Sequence, residues 1–243
     1  MSYGSTLKNK PYGNFEVYHP DGELMFHCKE DRIDWYLTRN LAKRINDKAI
    51  QLTFVPAGKG EKPEHLVKRK NICVVSADDK RLTKHHIVPY CFRKHLPLKY
   101  KSRNSIDVVL LRRDIHDEYE KIASDLKQEL IDKYITTYEK KLNRAIEITR
   151  IKMKSLDRVM ENDALGYRIV DVYNSLKSKL NEMGFLLSDT RDREKLDFYK
   201  LVVERMGHEN LIIFWKKHFQ DTLQPEFMPE YWDVNYIAIK DNA

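Results

Sequence analysis

Hydrophobic and polar positions alternate with different periods along the chain, and the changes of period mark its elements. Phe15-Glu16-Val17-Tyr18 and Leu24-Met25-Phe26-His27-Cys28 flank His19-Pro20-Asp21-Gly22-Glu23, where proline, aspartate and glycine suit a tight turn, so a β-hairpin is expected. Ile33, Tyr36, Leu37, Leu41 and Ile45 recur at three- and four-residue spacing and predict one helix from about Asp31 to Asn46. Ile50 to Val55 alternates like a half-buried strand and stops at Pro56, before the polar stretch Ala57 to Pro63, which reads as a loop or domain joint. Leu82 to Val88 and Asp107 to Leu111 read as two further short strands. From Ile115 the period becomes helical, with Ile115, Tyr119, Ile122, Leu126, Leu130, Tyr134 and Tyr138 on one side. Helical patterns follow at Tyr167 to Leu180, ending near Gly184, at Phe198 to Gly207, and at Leu211 to Phe219. The aromatic, proline-bounded tail Pro225 to Trp232 is expected to pack back on these helices.

Glycine and proline support the helical reading, because both interrupt elements and they are scarce where the helices are expected. No proline occurs between Pro97 and Pro225, and no glycine between Gly60 and Gly166. The expected fold class is therefore α+β: a small N-terminal hairpin, helix and strand unit (residues 1–63), a central strand, strand and helix segment (64–127), and a mostly helical region (128–243) packed on it as one body.

Composition narrows the class. The chain has 243 residues, 42% of them hydrophobic and 33% charged, enough for a real core and too apolar for a disordered tail. The longest apolar run is Leu211 to Trp215, so no membrane-spanning helix is expected. Met1 to Lys8 lacks the apolar core of a secretory signal and the arginine bias of a transit peptide. Cys28, Cys73 and Cys91 are odd in number with no C-x-x-C pair, which argues against a disulfide framework and for an intracellular, reducing compartment; cytoplasm, nucleus and mitochondrion stay open. The net charge of +7 suits a polyanionic partner, and is also common in proteins without one.

The charge gains meaning from its position. Four of the nine histidines, His85, His86, His95 and His116, lie in one window with Lys84, Arg93, Lys94, Lys101, Arg103, Arg112 and Arg113. Imidazoles among cations lose proton affinity, so they are expected to be neutral bases or metal ligands at pH 7. Asp114 is expected to cap a helix that carries His116 and Glu120 one turn apart on one face, where both can reach one cation. Glu120 has an alternative, pairing with Lys121 or Lys127 on a solvated helix. Adjacent strand residues face opposite ways, so His85 and His86 need a local twist or a strand end to converge. The surrounding cations are expected to contact nucleic-acid phosphates, with a merely solvated charge run as the alternative.

Strand, loop, strand and helix carrying His85-His86-Ile87-Val88-Pro89 and His116 resemble the ββα-metal (His-Me) finger of HNH endonucleases. That resemblance implies a single divalent cation, Mg²⁺ or Mn²⁺, held by His85 and His116, with Glu120 where some members carry a third ligand and with His86 as general base. The residue that orients the base would be Asp107 or Asn104. A longer resemblance runs through Gly22 to Phe26, Trp35-Tyr36-Leu37, Leu82 to Tyr90, Lys101 to Ser105, Trp215, Phe219 and Pro225 to Trp232. These are similar to the region that follows the DEDD-type exonuclease domain in the exonuclease 3′-5′ domain-containing protein 2 family. The chain starts almost at the hairpin, so an exonuclease domain is expected to be absent and its activity is not implied. Many HNH proteins also carry structural zinc on two C-x-x-C pairs. Here the matching positions are Cys73-Val74-Val75-Ser76 and Arg112-Arg113-Asp114-Ile115, from which no tetrahedral zinc site can be built. The finger is therefore expected to be held by packing.

Two functional readings stand. One is a metal-dependent HNH endonuclease that hydrolyses phosphodiester bonds of DNA or RNA with little sequence preference. The other is a catalytically silent HNH-like module that binds nucleic acid or a ribonucleoprotein, such as a ribosome.

Overall fold

The hairpin turn forms where proline, aspartate and glycine stand. Gly22 takes a positive φ of 94°, and β1 (Phe15–Tyr18) pairs antiparallel with β2 (Leu24–Cys28). This is the start of an α+β fold, seen in a computed structural model that describes residues 6–58, 63–101, 106–160, 166–237 and 239. Arg103, Asn104 and the joint residues Lys59 to Lys62 lie outside the described residues.

Two compact units divide the chain: Met1–Asp125 together with Gly207–Ala243, and Leu126–Met206. In the first, α1 (Glu30–Thr38), β3 (Ala42–Asn46) and β4 (Ala49–Leu52) follow the hairpin, and the sheet order is β2-β1-β4-β3, with β1 and β4 parallel. Val17, Met25, Ile33, Tyr36, Ala42, Ile50 and Leu52 form the core of this part. The helix expected to reach Asn46 ends at Thr38. Asn40 adopts a left-handed φ of 55°, and the backbone N–H of Leu41 donates to the carbonyl of Tyr36 in the manner of a helix-terminating turn. Residues 42–46 then become an edge strand on which Ile45 is exposed, so the helical period ran on by coincidence.

After two short helices, α2 (Pro63–Leu66) and α3 (Tyr90–Arg93), the second sheet consists of β5 (Leu82–His86) antiparallel to β6 (Val108–Arg112), with Thr83 opposite Leu111 and His85 opposite Val109. The helix α4 (Arg113–Tyr134) begins directly at the end of β6. Asp114 thus sits inside its first turn rather than capping it, and binds the Arg112 guanidinium at 2.7 and 2.8 Å. The last helix of this unit, α8 (His208–Leu223), brings buried Trp215 and Phe219 to the same core as Tyr119. The tail packs on α8, where the Lys216 ammonium donates to the Asp233 carbonyl, and also on the β5–β6 region: Phe227 N–H donates to Val74 and Trp232 Nε1 to Ile106.

The second unit contains α5 (Thr137–Met160), α6 (Gly166–Glu182) and α7 (Phe198–Met206). Leu142, Ala145, Ile146, Leu176, Leu180 and Phe185 form its core. The helical period expected to continue through Tyr138 is broken after Tyr134. Thr136 and Glu139 form a reciprocal capping box, with Thr136 N–H donating to Glu139 Oε2 (2.8 Å) and Glu139 N–H to Thr136 Oγ1 (3.2 Å), and a new helix starts there.

Candidate metal centre

His85, His116 and Glu120 converge because a strand and a helix meet at the right register. On β5, Thr83 and His85 share the face turned toward α4, and on α4 His116 and Glu120 are one turn apart. Glu120 Oε1 lies 3.6 Å from His85 Nδ1 and 3.7 Å from His116 Nε2, and one donor atom from each residue lies within 4.8 Å of the others. Among the described residues this is the one such grouping of His, Cys, Asp and Glu side chains. Ligands about 2.1 Å from a small cation stand roughly 3 Å apart when adjacent and about 4.2 Å apart when opposite. The three donors stand somewhat wider than that, so the side chains would draw together by up to about 0.7 Å to hold one ion.

A buried threonine supports the fit. The Thr83 hydroxyl lies within hydrogen-bond distance of both the Leu111 carbonyl, at 3.0 Å, and His116 Nδ1, at 2.8 Å. A hydroxyl that gives its proton to the carbonyl can accept Nδ1–H, and in that arrangement Nε2 is the bare nitrogen facing Glu120. A ligating imidazole needs this tautomer. Around the site, Phe219 stacks on His85 at 5.8 Å and Tyr119 meets it edge-on at 5.1 Å. Burial holds the Tyr119 phenol well above the ordinary tyrosine range, and its hydroxyl pairs with His218 Nδ1 at 3.0 Å. Both site imidazoles are buried, at 2% and 5% exposure, and Glu120 is the more open side. Thr83 was absent from the expected site residues, although its place two positions before His85 on a strand was a readable signal.

The remaining expected residues are placed as follows. His86 ends β5 and, by strand alternation, stands across the backbone from His85. Asp107 is buried, and its charge, with that of Asp233, opposes the burial that lowers the Lys216 ammonium to about 8. Lys84 is exposed on the same face of β5 as His86, and Arg93 lines a small cavity with Asp107, Tyr100 and Ile212. Lys101 donates to the Lys94 carbonyl at 2.8 Å. Arg112 pairs with Asp78 and Asp114, and Arg113 with Asp117 at 2.7 Å.

Fold and site together define an α+β protein with a candidate divalent-metal centre of two imidazoles and a carboxylate. Among curated proteins, the chain is 26% identical to mouse exonuclease 3′-5′ domain-containing protein 2 over 256 residues, covering 96% of this chain and 39% of that one. It is 25% identical to the human protein of the same name, covering 96% and 41%, and 34% identical to Arabidopsis protein RRP6-like 3 over 134 residues, covering 53% and 15%. The chain thus spans about two fifths of the length of the first two relatives. No protein-family model and no solved structure matches it. Among the described residues, no helix is long and apolar enough to cross a membrane.

Proposed function

We propose that the chain is a metal-dependent nuclease of the HNH type, acting on phosphodiester bonds of DNA or RNA. The observation that carries this reading is the convergence of His85, His116 and Glu120 within reach of one cation, with the Thr83 hydroxyl against His116 Nδ1. Relatives named for a 3′-5′ exonuclease domain support a nucleic-acid substrate. Two imidazoles and one carboxylate suit Mn²⁺ better than Mg²⁺, which favours oxygen ligands. A bound cation would polarise a phosphate oxygen and stabilise the leaving 3′ oxygen. In this reading His85, His116 and Glu120 hold the site, Thr83 orients His116, and His86 takes a proton from water as general base. Asp107, or Asn104, orients His86. Three free thiols, Cys28, Cys73 and Cys91, fit a reducing compartment.

The burial of both imidazoles favours a second reading, in which the centre is closed and serves a silent nucleic-acid or ribonucleoprotein binding module. One assay separates them. The protein is incubated with supercoiled plasmid, single-stranded DNA and structured RNA in Mn²⁺, Mg²⁺ or EDTA, beside His86→Ala and His116→Ala. The nuclease reading expects cleavage in metal that EDTA abolishes and that either substitution lowers by at least about 100-fold. Cleavage surviving chelation and both substitutions contradicts it, and binding without cleavage selects the silent module.

A further inference from the structure

The face of β5 that carries Lys84 and His86 borders a cleft of about 210 Å³. Among the described residues its lining includes the cationic or titratable side chains His27, Lys29, Arg69 and Lys84, and no aspartate or glutamate. The carboxylate opposite His27 in the hairpin register, Glu16, is neutralised by Lys68 at 2.7 Å, so it does not cancel the cleft's charge. His27 Nδ1–H donates to the His65 carbonyl at 3.2 Å, and its Nε2 is buried with no hydrogen-bond partner among the described residues.

The wall bearing Arg69 is built in advance of any ligand. Asn14 Nδ2 donates to the Arg69 carbonyl and Arg69 N–H donates to Asn14 Oδ1, both at 2.9 Å. Tyr12 and Asn71 repeat the same reciprocal pattern at 2.9 and 2.8 Å, and the Arg69 guanidinium lies 5.3 Å over the Tyr12 ring. Gly13 lets this wall close on the end of β2, because a Cβ there would stand 3.1 Å from Lys29 Cα and 3.2 Å from the Cys28 carbonyl. A rigid concave site whose described lining is rich in cations and holds no carboxylate suits a phosphate.

We propose that this cleft binds a backbone phosphate of a single nucleic-acid strand, beside the segment presented to His86; the proposal rests on the nucleic-acid reading above but not on catalysis. Lys84 and His86 are two strand residues apart on one face of β5, about 7 Å, so a strand held at Lys84 passes directly by His86. The cleft has room for a phosphate and its sugar, and is too small for a duplex.

The test is fluorescence anisotropy of a labelled single-stranded oligonucleotide with the full chain in EDTA, across salt concentrations. Lys29→Gln, Arg69→Gln, Lys84→Gln and the triple variant are compared with Lys179→Gln, an exposed lysine of α6. The Arg69 substitution keeps the Asn14 bonds, which involve only its backbone. We expect the triple variant to bind about tenfold more weakly at low salt and its log–log salt slope to flatten by about 1 to 2, with Lys179→Gln unchanged. If the triple variant does not fold, Lys84→Gln alone carries the test through a slope reduced by about 0.7. Inorganic phosphate at millimolar concentration should compete with the oligonucleotide in the wild type and lose that effect in the variants. Wild-type binding that the variants leave within twofold and with the same slope overturns the cleft assignment alone. Absence of any wild-type binding at low salt overturns the nucleic-acid reading and the cleft assignment with it.

Discussion

Thr83 has one hydroxyl proton and two polar neighbours, the Leu111 carbonyl and His116 Nδ1, and giving it to the carbonyl leaves the hydroxyl to accept Nδ1–H. A first prediction tests that arrangement, which prepares His116 Nε2 for a metal. Thr83→Val should weaken Mn²⁺ binding by about 10- to 100-fold, while Thr83→Ser stays within a few-fold of wild type. Electron paramagnetic resonance of free Mn²⁺ measures both, and equal weakening by serine would reduce Thr83 to a packing role. Lys216 is a second residue whose surroundings matter. Burial lowers its ammonium from 10.5 to about 8, against the opposing charges of Asp107 and Asp233. Between those values the unfolded chain binds more protons, so this group makes stability rise with pH from about 8 to 10.5. Lys216→Met should remove that rise, as denaturant unfolding at pH 7.5 and 10 would show. The sequence displayed His85, His116 and Glu120 because histidine pairing and helix spacing are local patterns. Thr83 was legible only as a neighbour on the strand, and a lysine inside the apolar stripe of α8 gave no sign of its burial, because both depend on what the chain brings from elsewhere.

At the scale of elements, the positions that the HNH resemblance would match to zinc ligands contain a polar knot instead. Ser76 Oγ donates to Asp78 Oδ2 at 2.9 Å, and Arg112 joins Asp78 to Asp114, tying the turn after Cys73 to the junction of β6 and α4. Packing adds to it through buried Cys73, Val74 and the tail bond from Phe227 to Val74. Hydrogen bonds from Ser76 and Arg112 hold the Asp78 carboxyl below its usual range, and the Arg112 bond does the same for Asp114. Lowered carboxyl pKa values add stability that is present above the ordinary carboxylate range and is lost as pH falls through it. Asp78→Ala should therefore lower the melting temperature by a few degrees at neutral pH and low salt, and by less in 1 M salt or at pH 3. A deficit that ignores both conditions would place the effect in packing. The hairpin, β5, β6 and the helices after Gly166 were legible because turn residues and periodicity agree there. The overextended first helix shows the limit: residues 41–46 keep a helical period while tertiary pairing with β4 makes them a strand. The break between α4 and α5 was legible in Thr136-Thr137-Tyr138-Glu139, a capping-box spacing that a continuous apolar stripe obscured.

At the scale of the molecule, the chain returns to its first unit after building its second, so the candidate centre draws Phe219 from α8 across more than a hundred residues. Such closure is invisible to local patterns, although the expected packing of the C-terminal helix and tail pointed toward it. Acid should act on the second unit through Glu139, which Arg205 and the Thr136 backbone and hydroxyl hold at about 2. Its contribution is present above pH 4.5 and is lost toward pH 2. Glu139→Gln should be destabilised relative to wild type at pH 6, with the gap narrowing near pH 2.5; thermal melts at the two pH values check this.

The central claim is that His85, His116 and Glu120 hold one divalent cation, and titration with Mn²⁺ followed by electron paramagnetic resonance tests it directly. The account predicts one ion per chain in the wild type, lost in His85→Ala and His116→Ala and retained in His86→Ala. A wild type that binds no ion, or a His116→Ala variant that binds it as tightly, would contradict the account.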